Sequence, residues 1–447
     1  MKRWLPWMIV PLVFSVWVFV IRAGAQNLLD DSDTKVLLIN IQERGDPLSW
    51  FAGDWPLFNH FYRPISTLFF EMDLKLYGLN GAGFGMTNAL ICGVCIWLAF
   101  WVGRELTDKP VVAALGTLVF GLAHVQLSVL NSVFGSLWIL ALVCLVGLFR
   151  GKFRERIWVV VMGFLGCLFL ASLVPGPLDF KNRIVDWLPG RTASVMAIFG
   201  LMSVGAYARF ERLTAGRKDE VPTSTDLPAT KGTVVEKPGR FVWGWVVVSA
   251  VGLILALGAY EQAVIVPALL TGVMIMFSLQ GRRVHWANVA LFWGILVGYL
   301  ILRRALVPSD VSGYQAQQFR DGGGVLNDLL LYLAPGLTNW SALVGSLEVG
   351  VLSLITSVPW VAGSMIFGNV SSMVGVWRDR GRWLGIGLLL MGFVAFLPMA
   401  WLKFFAHYHY FPAVFYSLFL VVFGQMVLGW VVEAVSPGRV LAPVREG

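Results

Sequence analysis

Three carboxylates crowd the run Leu28-Leu29-Asp30-Asp31-Ser32-Asp33, which follows shortly after the first apolar stretch of the chain. A carboxylate held near a membrane surface can act as a general base, taking the proton of an acceptor hydroxyl while its oxygen attacks a sugar carbon. Asp30 and Asp31 are the candidate catalytic pair. Adjacent carboxylates need different environments, one of them binding a cation or a sugar hydroxyl. A divalent cation is therefore the one cofactor the run leaves open, and none is demanded. The same residues can instead cap a helix that starts near Thr34, as Asp and Ser commonly do. Spacing alone leaves both readings standing.

A second set is cationic. Arg63, Lys181, Arg183, Arg191, Arg303, Arg304 and Lys403 all fall near the outer ends of apolar stretches, against the bias that keeps basic residues inside. Arginine suits phosphate because its planar fork gives two parallel hydrogen bonds. Each residue alone could simply extend its charge from a helix end toward water; as a group they point to an anionic substrate. A third set gathers polar residues at outer helix ends: His124 and Asn131, Glu261-Gln262, and Lys403 with His407-Tyr408-His409-Tyr410. Ionisable groups at membrane depth are functional candidates by default. Arg63, His124, Arg191, Glu261, Lys403, His407 and His409 form the candidate substrate-binding set. His407 and His409 point apart on a helix, which argues against a shared zinc ion. Cys92 and Cys95 form a CxxC, but inside an apolar run without a neighbouring His they read as small packing residues, and no metal site is expected.

The elements that must position these groups are membrane spans. Hydrophobic residues make up 57% of the 447 and charged residues 13%, and the mean hydropathy is +0.73, which excludes a soluble domain. The chain reads as an all-α, polytopic helical membrane protein. A span needs about 20 apolar residues, and the apolar runs give twelve: 4–21, 83–103, 110–127, 130–149, 157–174, 192–208, 241–259, 262–280, 286–304, 344–368, 384–402 and 410–432. The first, behind Lys2-Arg3, reads as a retained signal anchor. Counted across these spans, one set of loops holds 22 of the 34 basic residues against 11 acids, and the other holds 12 against 15. Short cytoplasmic loops collect Lys and Arg, so both termini are expected in the cytoplasm and the long loop 22–82 outside. The basic excess sets orientation, and nucleic-acid binding is discarded. The organisation expected is a first half, 1–212, carrying that loop; a flexible cytoplasmic linker, 213–240; and a second half, 241–447, with an outer loop at 305–343. Residues 66–77, with Phe69, Met72 and Leu76 at helical spacing and Glu71 and Lys75 at i, i+4, and residues 325–333 read as helices lying in the interface.

The motifs of the first loop resemble the GT-C superfamily of membrane glycosyltransferases, in particular the branch near the tetratricopeptide-linked O-mannosyltransferases and their bacterial relatives. The resemblance runs through Asp30-Asp31, Tyr62-Arg63-Pro64-Ile65-Ser66-Thr67 and Leu76-Tyr77-Gly78-Leu79-Asn80 with Asn88 beyond. Tyr260-Glu261-Gln262-Ala263-Val264 is similar to that branch's Lys-Glu-Gln-Ala turn, and His409-Tyr410-Phe411-Pro412 to its late turn. The family's His-Pro-x-His is here Ala123-His124-Val125-Gln126, its late-turn Arg is a His, and no tetratricopeptide array follows the last span. The resemblance implies a GT-C fold and inverting transfer of a sugar from a polyprenyl-phosphate donor, with a first-loop Asp as base, at the outer face of a bacterial inner membrane. The partners implied are the lipid-linked sugar, membrane lipids and an acceptor the sequence does not name.

Two other classes compete. A transporter or flippase of a lipid-linked or anionic substrate also accommodates six spans, a linker and six more, but would favour charge at the bilayer midplane and broken helices there. An O-antigen polymerase or ligase would carry its large loop later in the chain.

Overall fold

The computed structural model describes residues 4–22, 27–125, 180–214, 240–319, 381–403 and 405–435. Among them every regular element is helical, and one isolated bridge pairs Phe319 with Leu402. Twelve α-helices are described: α1 Ile9–Arg22, α2 Ser32–Arg44, α3 Pro64–Tyr77, α4 Gly81–Thr107, α5 Pro110–Val125, α6 Arg191–Thr214, α7 Arg240–Leu257, α8 Val266–Leu279, α9 Asn288–Leu306, α10 Gly313–Gln318, α11 Gly381–Phe396 and α12 Tyr410–Val435. Among the described residues six helical stretches are long and apolar enough to cross a membrane: Leu5–Arg22, Gly81–Thr107, Leu188–Thr214, Glu261–Leu279, Asn288–Leu306 and Ala406–Gln425. Pro110–Val125, Val242–Leu257 and Trp383–Met399 are shorter and equally apolar. The expected spans 130–149, 157–174 and 344–368, together with Asn131, the interfacial helix at 325–333 and nearly all of the linker, lie outside the described residues.

Local chemistry explains where the helices begin. Asp31 caps α2, its carboxylate accepting from the Thr34 amide at 3.0 Å, and Asn80 caps α4 through the Ala82 amide at 3.0 Å. Pro64 and Pro110 open α3 and α5, where a missing N–H costs nothing. Gly45 ends α2 with φ +66°, a left-handed conformation that a Cβ would penalise.

The two ends of the bundle are chemically distinct. Arg191, at the start of α6, bonds Phe84 and Asn88 near the start of α4, while Arg212, near its end, bonds Arg104 and Glu105 near the end of α4. These helices therefore run parallel. At the far end Glu105, fully buried, meets Arg104, Arg209 and Arg212 at 2.6, 3.6 and 3.1 Å, and Glu211 takes the backbone amide of His285 at 3.1 Å. At the near end sit α2, α3 and the turn from α7 into α8. Between them, packing is by close approach rather than by expulsion of water, as lipid offers no hydrophobic drive. A Cβ at Gly103 or Gly116 would run into Leu418, so small residues on α4 and α5 let α12 seat between them.

Candidate functional site

At the near end the elements surround a cavity of about 1030 Å³. Its first wall is the start of α2, which contributes Asp31 and Asp33. Both capping bonds of Asp31, from the Thr34 amide at 3.0 Å and hydroxyl at 3.1 Å, fall on Oδ2, leaving Oδ1 without a hydrogen bond among the described residues. Helix capping and exposure to the cavity are thus compatible in one carboxylate.

The second wall is an ion-pair clasp. Arg63 donates through Nε to Glu261 Oε2 at 2.8 Å and through a terminal nitrogen to the same oxygen at 2.6 Å. Its guanidinium lies 5.2, 4.1 and 4.6 Å from the ring centroids of Trp55, Phe61 and Tyr260. Burial works most strongly against the Arg63 charge, but the Glu261 carboxylate and the neighbouring Tyr260 and Tyr408 together outweigh it and lift the pKa above its ordinary value, so the guanidinium stays ionised. Burial also pushes the Tyr260 phenol well above its usual range and keeps it protonated. Backbone bonds register the clasp: the Ile65 amide donates to Gly258 at 2.9 Å and the Ser66 hydroxyl to Ala259 at 2.8 Å. The first loop is thereby fixed to the α7–α8 turn.

The third wall comes from the end of α9 and the chain beyond it. Tyr299, Arg303, Asp310, Tyr314 and Gln315 line it. Arg303 donates to the carbonyl of His60 at 3.0 Å, which Gln315 also reaches at 3.2 Å. His60 itself has φ +62°, an uncommon backbone state for a residue with a Cβ. Among the described residues Arg303 pairs with no carboxylate and the buried Tyr299 hydroxyl has no hydrogen-bond partner.

The fourth wall joins the segment before α6 to the turn before α12. Lys181–Val185 forms a single π-turn and Leu188–Gly190 a 3₁₀ turn. Gly190 is required, because a Cβ there would collide with the Arg183 carbonyl oxygen. Arg183, Trp187, Phe405 and His407 face the cavity from this side.

The sequence-predicted residues divide cleanly. Asp31, Arg63, Glu261 and His407 line the cavity. Asp30 is exposed and outside the lining, as is Lys403. Arg191 is fully buried: it pairs with Asp73 at 2.6 Å and donates to Asn88 at 2.7 Å and to the Phe84 carbonyl at 2.9 Å, so its fork is spent on holding α3, α4 and α6 together. His124 is fully buried and its Nε2 lies 2.9 Å from the Tyr410 hydroxyl; His409 is buried with its ring stacked on Phe396 at 4.3 Å. Neither lines the cavity. Conversely, Trp187 and Tyr299 line it without any mark in the sequence, Asp33 and Tyr260 line it though they belong to a run and a motif without a site role of their own, and Arg183 and Arg303 stand out in the sequence only as cations near span ends. Among the described residues no cluster of three or more His, Cys, Asp or Glu could hold a metal ion, and Cys92 and Cys95 are buried free thiols.

No family model, no curated protein and no solved structure matches this chain.

Proposed function

We propose that the chain is an integral-membrane glycosyltransferase of GT-C type, moving a sugar from a polyprenyl-phosphate donor to an extracytoplasmic acceptor with inversion. The observation that carries the reading is the cavity, which puts two first-loop carboxylates and three arginines, Arg63, Arg183 and Arg303, around one space. In the reaction the acceptor hydroxyl oxygen forms a bond to the anomeric carbon and its proton passes to Asp31 or Asp33. The bond from that carbon to the phosphate oxygen breaks, and its electron pair stays on the phosphate. Arg183 and Arg303, which pair with no carboxylate among the described residues, are the donors placed to meet that growing charge, since Glu261 already holds Arg63. The charge count across the loops supports placing this end outside the cytoplasm and both termini within it, and the resemblance of the first-loop motifs supports a bacterial inner membrane as the location.

The test is transfer itself. Purified protein in liposomes, given a polyprenyl-phosphate sugar labelled in the sugar together with a membrane extract as acceptor source, should move label out of the lipid fraction. Label that crosses to the opposite leaflet while staying on the lipid would instead support a flippase. That second reading draws on the Arg63–Glu261 pair, which ties the first half of the chain to the second as a transporter gate would.

A further inference from the structure

One wall of the cavity is aromatic and carries a polar atom with no hydrogen-bond partner among the described residues. His407 lines the cavity, is 8% exposed, and its Nδ1 has no hydrogen bond among the described residues. Leaving a buried nitrogen unsatisfied costs on the order of 1–3 kcal/mol, so such an atom beside a cavity is suited to a ligand. The ring packs against two others: Trp187 at 5.3 Å, inclined by 47°, and Phe405 at 5.5 Å, inclined by 28°. The Arg183 guanidinium lies 5.3 Å from the Trp187 centroid and fixes the indole plane. The wall is anchored on both sides. Asp186, just before Trp187, pairs with Arg22 at the end of α1 at 3.0 Å. Leu188, just after it, packs in the apolar cluster with Leu28 and Leu37, which flank Asp31 and Asp33 in sequence. Trp187 therefore belongs to a turn that abuts the start of α2, and His407 joins it through the ring contact.

We infer that Trp187 and His407 form the subsite for the sugar ring of the donor. A pyranose has a face of polarised C–H bonds and a rim of hydroxyls. An indole face receives the first, and an imidazole nitrogen, as donor or acceptor according to tautomer, receives the second. A phosphate would gain little from either ring, and the cavity offers it Arg303 elsewhere. The assignment rests on the glycosyltransferase reading of this cavity and adds to it which residues discriminate the sugar.

The experiment uses full-length protein in detergent and two probes: a set of epimeric polyprenyl-phosphate hexoses, and polyprenyl monophosphate without sugar. Affinities are measured for the parent, Trp187→Leu, Trp187→Phe and His407→Leu, each checked for parental thermal unfolding. Trp187→Leu and His407→Leu should weaken the best hexose lipid by about tenfold, as losing one stacking or hydrogen-bonding contact of about 1.4 kcal/mol does, and flatten the preference among epimers. The bare phosphate lipid should bind as before, and Trp187→Phe should keep most of the sugar affinity. Equal losses for both lipids would assign the wall to phosphate or to the lipid tail. Unchanged hexose binding in Trp187→Leu, which is only half-buried and does not depend on the folding of the histidine variant, would remove the wall from recognition altogether. A parent that binds neither lipid would overturn the glycosyltransferase reading, and this subsite with it.

Discussion

Arg63 and Glu261, 198 residues apart, share a two-pronged ion pair at the rim of the cavity, with three aromatic rings packed around the guanidinium. The side chains are 12% and 20% exposed, so neither partner can recover full hydration if the other is removed. Position and register follow from the same contact: the loop that carries the carboxylates is clamped to the turn between α7 and α8.

A double-mutant cycle measures that clamp. Arg63→Met and Glu261→Gln should each lower thermal stability in detergent, because each leaves a half-buried charge without its partner. The double variant should lose less than the sum of the two, with a coupling of about 1–3 kcal/mol. Additive losses would mean that the pair is merely adjacent and that backbone bonds alone hold the loop.

The two first-loop carboxylates on the cavity wall can be separated from their structural duties. Asparagine caps a helix about as well as aspartate, so Asp31→Asn should keep α2 intact while removing the base. Asp31→Asn or Asp33→Asn, whichever residue takes the proton, should lower turnover by about 10²–10⁴ at parental stability. Asp31→Ala should in addition lose about 1 kcal/mol of stability with the cap. Asp30→Asn, outside the lining, should stay close to parental. Parental turnover in both Asp31→Asn and Asp33→Asn would move the base out of this loop.

What the sequence made legible was depth along the bundle. Apolar runs of membrane length reveal spans because lipid selects length, and the i, i+4 pair Glu71–Lys75, 3.0 Å apart, sits on the expected helix α3. Arg303 was legible as a cation at the end of an apolar run, and it lies at the end of the bundle that holds the cavity. Direction around a helix was not legible. Arg191 and His409 sit at the expected end of the bundle, but Arg191 turns to Asp73, 118 residues away, and His409 to Phe396. Their partners come from distant segments, and no local spacing announces them. Trp187 was missed for the opposite reason: its role comes from meeting His407, which only the packed turns bring to it.

The Arg191 network gives a contrast between folding and binding. Its partner Asp73 also accepts from the Thr87 hydroxyl at 2.6 Å, and both ions are fully buried. Removing one member of such a pair typically costs about 3–5 kcal/mol. Arg191→Met should therefore reduce the folded fraction recovered by gel filtration, while turnover per folded molecule stays within about threefold, under 1 kcal/mol of barrier. Arg303→Met should do the reverse, keeping the folded yield and lowering turnover by about 10²–10³ as expected for a lost charge-stabilising donor. A large loss of specific turnover in well-folded Arg191→Met would return Arg191 to the site.

Orientation is the step on which the outward-facing chemistry depends, and the two ends of the bundle supply clean reporters. Gln42 on α2 and Asp310 beyond α9 are exposed at the cavity end, whereas Arg283, between α8 and α9, is exposed at the end that holds Glu105 and Glu211. In a background with the native cysteines replaced, Gln42→Cys and Asp310→Cys should react with a membrane-impermeant maleimide in intact spheroplasts. Arg283→Cys should react only after permeabilisation. The excess of basic residues on the Arg283 side predicts this result, because moving those loops across the membrane opposes the bias that sets topology. The inverse labelling pattern would place the cavity in the cytoplasm, where a donor sugar would be transferred before it crossed the membrane, and the acceptor would have to be sought on that side.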